Sequence, residues 1–280
     1  VVVAFTDMQG RLQGKRIHGQ WFVDTVLGHG TEGCNYLLAV DVEMNPLPGY
    51  RAFNWEQGYG DFSAVPDLST LRLVPWLERT ALVLCDVVDE HDKTTPVAVS
   101  PRAILKAQEQ RAAERGFLVN IGAELEFFLF HVDQEGKATV ETHDRAGYFD
   151  LAPVDLGENA RRDMVLTLEE MGFEIEASHH EVAPGQHEID FKYNNALATA
   201  DNLVTFRFVV RTVAQRHGLH ASFMPKPIYG INGSGMHTNQ SLFSGTKNIF
   251  YDNLVLWILG ICILGYIVAL LLIKKKGKKI

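Results

Sequence analysis

Two glutamates flank a turn signal in the second half of the chain. Pro184 and Gly185 favour a tight turn, because proline presets its own φ and glycine tolerates a positive φ. If these two residues form the turn of a hairpin, Glu181 lies directly opposite Glu188. Opposed like charges destabilise neighbouring strands, so a carboxylate pair in this register predicts a bound cation. The alternative is a solvated hairpin edge whose glutamates point into water.

Two further segments carry groups of related chemistry. Glu124 and Glu126 stand two positions apart in an apolar stretch, so on a strand both side chains share one face. His237 follows the glycine-rich segment 230–235, where small residues let the backbone approach a ligand. Taken singly, each segment also fits an exposed strand face or a structural histidine. Together they predict a site for Mg²⁺ or Mn²⁺ whose ligands are Glu124, Glu126, Glu181, Glu188 and His237.

Helices and strands must alternate along the chain to bring these segments together. Ser100 is the predicted cap of the first helix, with Pro101 in its first position. The predicted helices cover residues 100–115, 159–171 and 200–217, each ending just before a glycine. The predicted strands cover residues 1–6, a stretch ending at 17, 36–42, 81–88 and 118–130, and a loop covers 45–66. Helices interleaved with antiparallel hairpins predict the α+β class.

The charge of the chain is unevenly distributed. Its 280 residues carry a formal net charge of −8, but five lysines and no acidic residue follow Asp252. Residues 1–252 therefore carry a larger negative charge than the whole chain. An acidic body argues against a nucleic-acid partner and suits a protein that holds cations.

The cysteines indicate the redox compartment of the protein, and the first residue indicates where the chain begins. Cys34, Cys85 and Cys262 are far apart and lack the spacing of a zinc site, which predicts a reducing compartment. The sequence begins at Val1, without a methionine and inside a predicted strand. We therefore expect the natural N-terminus to lie upstream.

Residues 254–273 form a stretch without a charged side chain, directly before the lysines. As a helix this stretch would span roughly 30 Å, enough for a bilayer core, which predicts a transmembrane helix. A buried core helix is the alternative. The positive-inside rule would place the lysines in the cytoplasm and the acidic body outside. A tail anchor of opposite orientation, or a chimeric gene end, would remove that conflict.

Several motifs, in order and spacing, resemble glutamine synthetase of the bacterial type I class. They are Glu124-x-Glu126-Phe, His179-His-Glu181 through Glu188, Met224-Pro-Lys-Pro227, and Asn232-Gly-Ser-Gly-Met-His237. The resemblance extends over residues 1–252. It implies an N-terminal β-grasp domain at 1–95 and part of the catalytic domain at 96–252, with the apolar helix and basic tail at 253–280. Family members form dodecamers whose active sites lie between neighbouring subunits.

The resemblance also implies a role for individual residues. Glu126, Glu181 and Glu188 would hold the metal nearer the amino-acid substrate, while Glu124 and His237 would hold the metal on the ATP phosphates. The remaining implied positions fall into two groups. Those that contact glutamate are Asn232, Gly233 and His237, and those that line the nucleotide are Glu176, Tyr193 and Ser241.

Acidic residues near the amine complete the implied site. Asp61 looks like a residue that reaches the ammonium site of the adjacent subunit, and Asp41 is a looser match to a second one. Asp61 and Glu181 are the predicted catalytic residues. The implied reaction activates the γ-carboxylate of glutamate with ATP as γ-glutamyl phosphate, with two divalent ions neutralising the phosphoryl oxygens. Ammonia or another amine then displaces phosphate, and an acidic side chain accepts its proton.

Departures from the family pattern leave other functions open. Asn239 stands where many members have histidine, and segment 35–62 looks more like ligases that join glutamate to polyamines or alkylamines. The second half of the catalytic domain, with its phosphate-binding arginines, finds no match, so we expect this chain alone to be a poor catalyst. A non-catalytic, membrane-tethered relative that acts as a scaffold or assembly modulator is a further hypothesis. The predicted location is cytoplasmic, with or without a membrane tether.

Overall fold

The computed structural model describes residues 1–251, except 52 and 57. The predicted transmembrane stretch 254–273 and the basic tail therefore lie outside the described residues. Within the described part of the chain, no helix is both long and apolar enough to cross a membrane.

The first sheet is built from the N-terminal third of the chain. Its strands are β1 (Val2–Thr6), β2 (Leu12–Arg16), β3 (Thr31–Cys34), β4 (Asp61–Pro66), β5 (Arg72–Leu73) and β6 (Ala81–Asp89). Their order is β2-β1-β6-β4-β3, with β5 also paired to β6. Strands β1 and β6 run parallel, and the other pairs are antiparallel. Short helical turns between the strands are Gly19–Trp21, Phe22–Val26, Leu27–His29, Asn35–Leu38 and Leu68–Thr70.

Two expectations about the first sheet are wrong. The strand predicted at 36–42 is replaced by the helical turn Asn35–Leu38, and Val40 makes only an isolated bridge to Pro46. Residues 38–40 are all buried, and the Ala39 amide donates to the Tyr36 carbonyl at 2.8 Å, which closes a helical turn in place of a strand. The loop predicted at 45–66 ends instead in β4, because pairing with β6 buries Phe62.

The second sheet is organised around one long strand. Its strands are β7 (Leu118–Val132), β8 (Ala138–Thr142), β9 (Ile175–His180), β10 (Gln186–Phe191), β11 (Asn194–Asn195), β12 (Leu219–Ser222), β13 (Met236–Ser244) and β14 (Lys247–Asn248). Strand β7 pairs antiparallel with five of them, namely β8, β10, β11, β12 and β13. The structure thus confirms the predicted strand at 118–130 and extends it by two residues.

Three long helices accompany the sheets: α1 (Pro101–Ala113), α2 (Glu158–Glu170) and α3 (Ala196–Arg216). Helix α3 begins four residues earlier than predicted, because the Asn195 side chain accepts a hydrogen bond from the Ala198 amide at 2.8 Å. Pro101 is in the first turn of α1 as predicted, but Ser100 makes no side-chain cap bond. Its buried hydroxyl has no hydrogen-bond partner among the described residues.

The two sheets and the helices share a hydrophobic core. Ala4 and Leu82 of the first sheet belong to the same buried cluster as Phe127 of β7 and Phe206 of α3. A smaller cluster, which includes Phe62 of β4 and Phe22 of a helical turn, packs residues of the first sheet against the helical turns between its strands. This arrangement of largely antiparallel sheets with separate helices is of the predicted α+β class. The division at residue 95 stays a prediction.

Candidate metal and nucleotide site

Strand pairing places four of the predicted metal ligands on one face of the second sheet. Glu124 and Glu126 lie two residues apart on β7. On one side His237 of β13 is directly opposite Glu124, and on the other Glu188 of β10 is directly opposite Glu126. Opposed residues of antiparallel strands point to the same face. The intervening Leu125 is buried on the other face, as the alternation predicts.

The hairpin that carries Glu181 and Glu188 has a different register from the predicted one. His179, not Glu181, is directly opposite Glu188. A two-residue turn is wrong because the favoured hairpin turns need a positive φ at their first central residue, which Pro184 cannot adopt. The connection between the two strands is instead five residues long, 181–185, and the Glu181 amide donates to the Gln186 carbonyl at 2.7 Å.

The register change leaves both carboxylates on the same side of the sheet. A slip of one residue would turn a side chain to the other face, whereas a slip of two restores it. Glu181 and Glu188 are each only 8% exposed. The alternative of a solvated hairpin edge is therefore wrong.

A histidine joins these two carboxylates. The Nε2 atom of His179 lies 2.9 Å from Oε1 of Glu181 and 3.2 Å from Oε2 of Glu188. The ring of Phe149 packs edge-on against the imidazole at 4.8 Å between centroids. Ligand atoms of His179, Glu188 and Asp190 all lie within 4.8 Å of one another. Sequence reasoning missed His179 and Asp190 as ligands, although each stands two residues from a predicted ligand, Glu181 and Glu188 respectively.

The glycine-rich segment packs directly on the carboxylates. The Gln186 side-chain amide donates to Oε2 of Glu126 at 2.5 Å and to the carbonyl of Gly233 at 2.9 Å. A Cβ atom at Gly235 would lie 2.8 Å from Oε1 of Glu126, so a larger residue there would have to displace that carboxylate. Asn232, beside Gly233, is exposed. Gln186 carries no sequence signal that would have identified it.

Burial and like charges shift the pKa values in this cluster. Burial, followed by the charges of Asp190, Glu126 and Glu181, raises the pKa of Glu188 to about 8. Burial also raises the pKa of Glu126, with a further contribution from Glu181. Closely spaced carboxylates of this kind are neutralised by a proton or by a cation. Oxygen donors with imidazole nitrogen fit Mg²⁺ or Mn²⁺.

A cavity of about 390 Å³ adjoins Glu124. Glu176, Tyr193 and Ser241, the three residues predicted to line a nucleotide, all contribute to its wall. Asn239 lies there too, and its side-chain amide donates to Oε1 of Glu124 at 2.7 Å. The opposed side chains Glu124–His237 and Glu126–Glu188 form a row across three strands, the carboxylate row. The structure therefore brings the cavity residues together beside the Glu124 end of this row.

The two predicted amine-site residues lie apart from this row, in the first third of the chain. Asp61 is exposed at the start of β4 in the first sheet. Asp41 closes a local turn, where its carboxylate accepts from the amides of Glu43 and Asn45 at 2.9 Å. Hydrogen bonds from Asn45 lower the pKa of Asp41.

A buried polar network behind the hairpin was not predicted. Asp144 is its centre: Oδ1 accepts from the Gly185 amide at 2.9 Å and lies 3.1 Å from Nε2 of His180. Oδ2 lies 3.1 Å from Nε2 of His143 and accepts from the Leu156 amide at 3.2 Å. Hydrogen bonds span residues far apart in sequence here, so no local pattern marks the network.

The structure is thus an α+β protein whose antiparallel sheet carries a carboxylate and imidazole row of the kind that holds divalent cations. Residues 98–257 match the family described as glutamine synthetase, catalytic domain. The chain belongs to the glutamine synthetase family.

Individual relatives show how far the similarity extends. Glutamine synthetase of Clostridium saccharobutylicum is 60% identical over 195 residues, which cover 69% of this chain and 44% of that protein. Glutamine synthetase of Staphylococcus epidermidis is 56% identical over 191 residues, covering 67% of this chain and 42% of that protein. The chain thus spans less than half the length of these relatives.

Solved structures of GmaS are similar over more of the chain. A complex of GmaS with ADP superimposes with a TM-score of 0.76 at 28% identity, covering 90% of this chain and 55% of that one. Apo GmaS without ligand gives the same score and identity, covering 56% of its own chain.

Proposed function

We propose that the chain contributes a metal- and ATP-binding site to a glutamate–ammonia ligase that works through γ-glutamyl phosphate. The observation that carries the proposal is the row of opposed side chains Glu124–His237 and Glu126–Glu188 across three paired strands. Glutamate, ATP and ammonia are the proposed substrates. The identities of 56–60% to glutamine synthetases support this function.

We assign the side chains of the carboxylate row to two divalent ions. Glu126, Glu181 and Glu188 would hold one divalent ion, and Glu124 with His237 a second. Bound ions would neutralise the phosphoryl oxygens during transfer from ATP. His179 now occupies the space between two of these carboxylates, so its N–H would have to leave them when a cation binds.

The nucleotide is proposed to bind in the 390 Å³ cavity lined by Glu176, Tyr193 and Ser241. The size of the cavity suits a ligand of this class, and its structural relative GmaS has been solved with ADP. Asn232 and Gly233, next to Glu126, are proposed to contact glutamate. Asp61, on the first sheet, would serve an amine site on a neighbouring copy, which requires a homo-oligomer such as the dodecamer.

Another amine in place of ammonia is the second candidate. The observation in its favour is an exposed aromatic group just before Asp61, where the ring of Trp55 packs edge-on against Tyr59 at 5.1 Å. Trp55 is 78% exposed. Aromatic faces bind alkylammonium ions. Competition between methylamine and ammonium as acceptors distinguishes the two candidates.

Two further parts of the proposal concern domains and location. We infer a β-grasp domain at 1–95 and a partial catalytic domain at 96–252. Cys34 and Cys85 are both free thiols in the described structure, which fits a reducing compartment. We propose that the protein is cytoplasmic.

The first experiment measures Mn²⁺ binding to the 280-residue chain by calorimetric titration at pH 7. Because the pKa of Glu188 is about 8, binding at this pH should expel a proton, and the heat should vary with the ionisation enthalpy of the buffer. Glu181→Gln should weaken binding by roughly tenfold or more.

Glu141→Gln is the matched control, since Glu141 is an exposed glutamate on β8 of the same sheet. Its affinity for Mn²⁺ should equal that of the parent chain. Equal binding by the Glu181 and Glu141 variants would refute the metal site. ADP binding that does not respond to Tyr193→Ala would refute the nucleotide cavity.

A further inference from the structure

A second cleft, away from the carboxylate row, carries the opposite charge. It has a volume of about 460 Å³ and lies between the β1–β2 turn, helix α3 and strand β12. Arg207, Arg211 and His220 line it, and the same three residues line an adjoining depression of about 320 Å³. No aspartate or glutamate lines either space within the described chain.

The positive groups of this cleft are poorly neutralised. Arg211 is exposed, and it has no hydrogen-bond or ion-pair partner among the residues that the structure describes. Arg207 donates one N–H to the Gly10 carbonyl at 2.8 Å, while its buried Nε has no hydrogen-bond partner among the described residues. Arg11 also lines the cleft, but Asp7 pairs with it at 2.7 Å.

These groups lie close enough to repel one another. Burial, and then the charge of Arg211, lower the pKa of both Arg207 and His220. In a chain of net charge −8, carboxylates to neutralise such a group are plentiful, yet none of the described ones lines the cleft. The charge of the buried Asp7, which pairs with Arg11, offsets part of the lowering of the pKa of Arg207. Guanidinium groups with free N–H donors bind oxyanions in a bidentate manner.

We propose that this cleft binds a small organic dianion, with its phosphate or paired carboxylate groups held between Arg207 and Arg211. The cleft is larger than an inorganic ion needs and lies in the size range of small-molecule sites. Leu12 and Phe208 provide an apolar wall for the rest of the ligand. This site is separate from the proposed active site and does not depend on it.

The test is a calorimetric titration of the 280-residue chain with inorganic phosphate, without divalent metal and at constant ionic strength set with chloride. Saturable binding is expected, and Arg211→Gln should weaken it by roughly tenfold. Because Arg211 is exposed and unpaired in the described structure, this variant should fold. Arg216→Gln, on the exposed part of the same helix and outside the cleft, should bind phosphate like the parent chain.

Succinate and glycerol phosphate, titrated in parallel, distinguish a dicarboxylate from a phosphate monoester as the better ligand. Glu188→Gln should leave phosphate binding unchanged, so a failure of the metal site would not affect this result. Phosphate heats equal to those of chloride would refute the proposal, as would equal losses in the Arg211 and Arg216 variants. If Arg211→Gln changed the oligomeric state and not phosphate affinity, the cleft would be an interface and the proposal would fall.

Discussion

Ionisation of the Glu188 side chain destabilises the folded chain. Glu188 is 8% exposed, and burial with three neighbouring acids raises its pKa from 4.5 to about 8. A carboxyl whose pKa is higher in the folded than in the unfolded state favours folding at low pH. That contribution is lost as the pH rises from 4.5 to 8. Ionised Glu188 therefore lowers the stability of the metal-free fold at neutral and alkaline pH. This is expected if Glu188 binds a cation, as proposed above.

Glu188→Gln should therefore stabilise the metal-free chain at pH 8.5, by roughly 1–3 kcal/mol, because it removes a buried charge from a repulsive cluster. At pH 5, where Glu188 is protonated, the difference should nearly vanish. Urea denaturation in EDTA at the two pH values measures it. Glu141→Gln serves again as the control. A gain of the same size at both pH values would contradict the assigned pKa.

The hairpin of β9 and β10 is held in place from behind by a single buried carboxylate. The Asp144 side chain accepts from the Gly185 amide and contacts the His180 ring. Burial works to raise the pKa of Asp144, but the neighbouring imidazoles of His143 and His180 outweigh it and hold that pKa well below its usual range. This contact connects loop 143–157 with the turn between Glu181 and Glu188, so Asp144 acts on the position of these two carboxylates through the backbone of the turn.

Asp144→Asn should destabilise the chain by roughly 2–4 kcal/mol, because an amide cannot accept the same set of buried donors. It should also weaken Mn²⁺ binding by loosening the hairpin. Denaturation and calorimetric titration measure the two effects. Asp150→Asn is the control, since Asp150 accepts one amide in an exposed turn of the same loop. Lost stability with unchanged Mn²⁺ affinity would show that Asp144 is structural only.

At the scale of the whole molecule, a buried arginine holds the first sheet against the helices. Arg102 of α1 is 6% exposed and contacts three carboxylates. Its partners are Asp67 at 2.6 Å, Asp201 of α3 at 2.9 Å, and Asp86 of β6. Burial works to raise the pKa of Asp67, but hydrogen bonds from Ser69 and Arg102 lower it to about 2.

Arg102→Met should destabilise the protein by roughly 3–5 kcal/mol, because three carboxylates lose the charge that neutralises them. The loss should shrink as the pH falls below 4, since the contribution of Asp67 is complete above its unfolded-state pKa of 3.8 and is lost as the pH falls towards 2. Thermal unfolding at pH 3 and pH 7 measures this. Arg111→Met, an exposed change on the same helix, is the control. A loss that does not depend on pH would contradict the electrostatic cause.

Local chemistry was sufficient to predict much of the site. The spacing of Glu124 and Glu126, with the apolar Leu125 between them, determines that both share one face of a strand. Glycine and proline signals located the ends of the three long helices to within a few residues. The resemblance of the motifs to glutamine synthetase is confirmed by the family match over residues 98–257.

Only the tertiary structure decided which side chains meet. Contacts between strands and loops determine the hairpin register, the position of His179 between two carboxylates, and the Asp144 network. The energies of these contacts cannot be read from a local sequence pattern. The same holds for the arginine-lined cleft, where residues of β2, α3 and β12 converge. Sequence periodicity determines the face on which a side chain lies. Pairing and packing determine its neighbours, because long-range contacts are chosen by the energy of the whole fold.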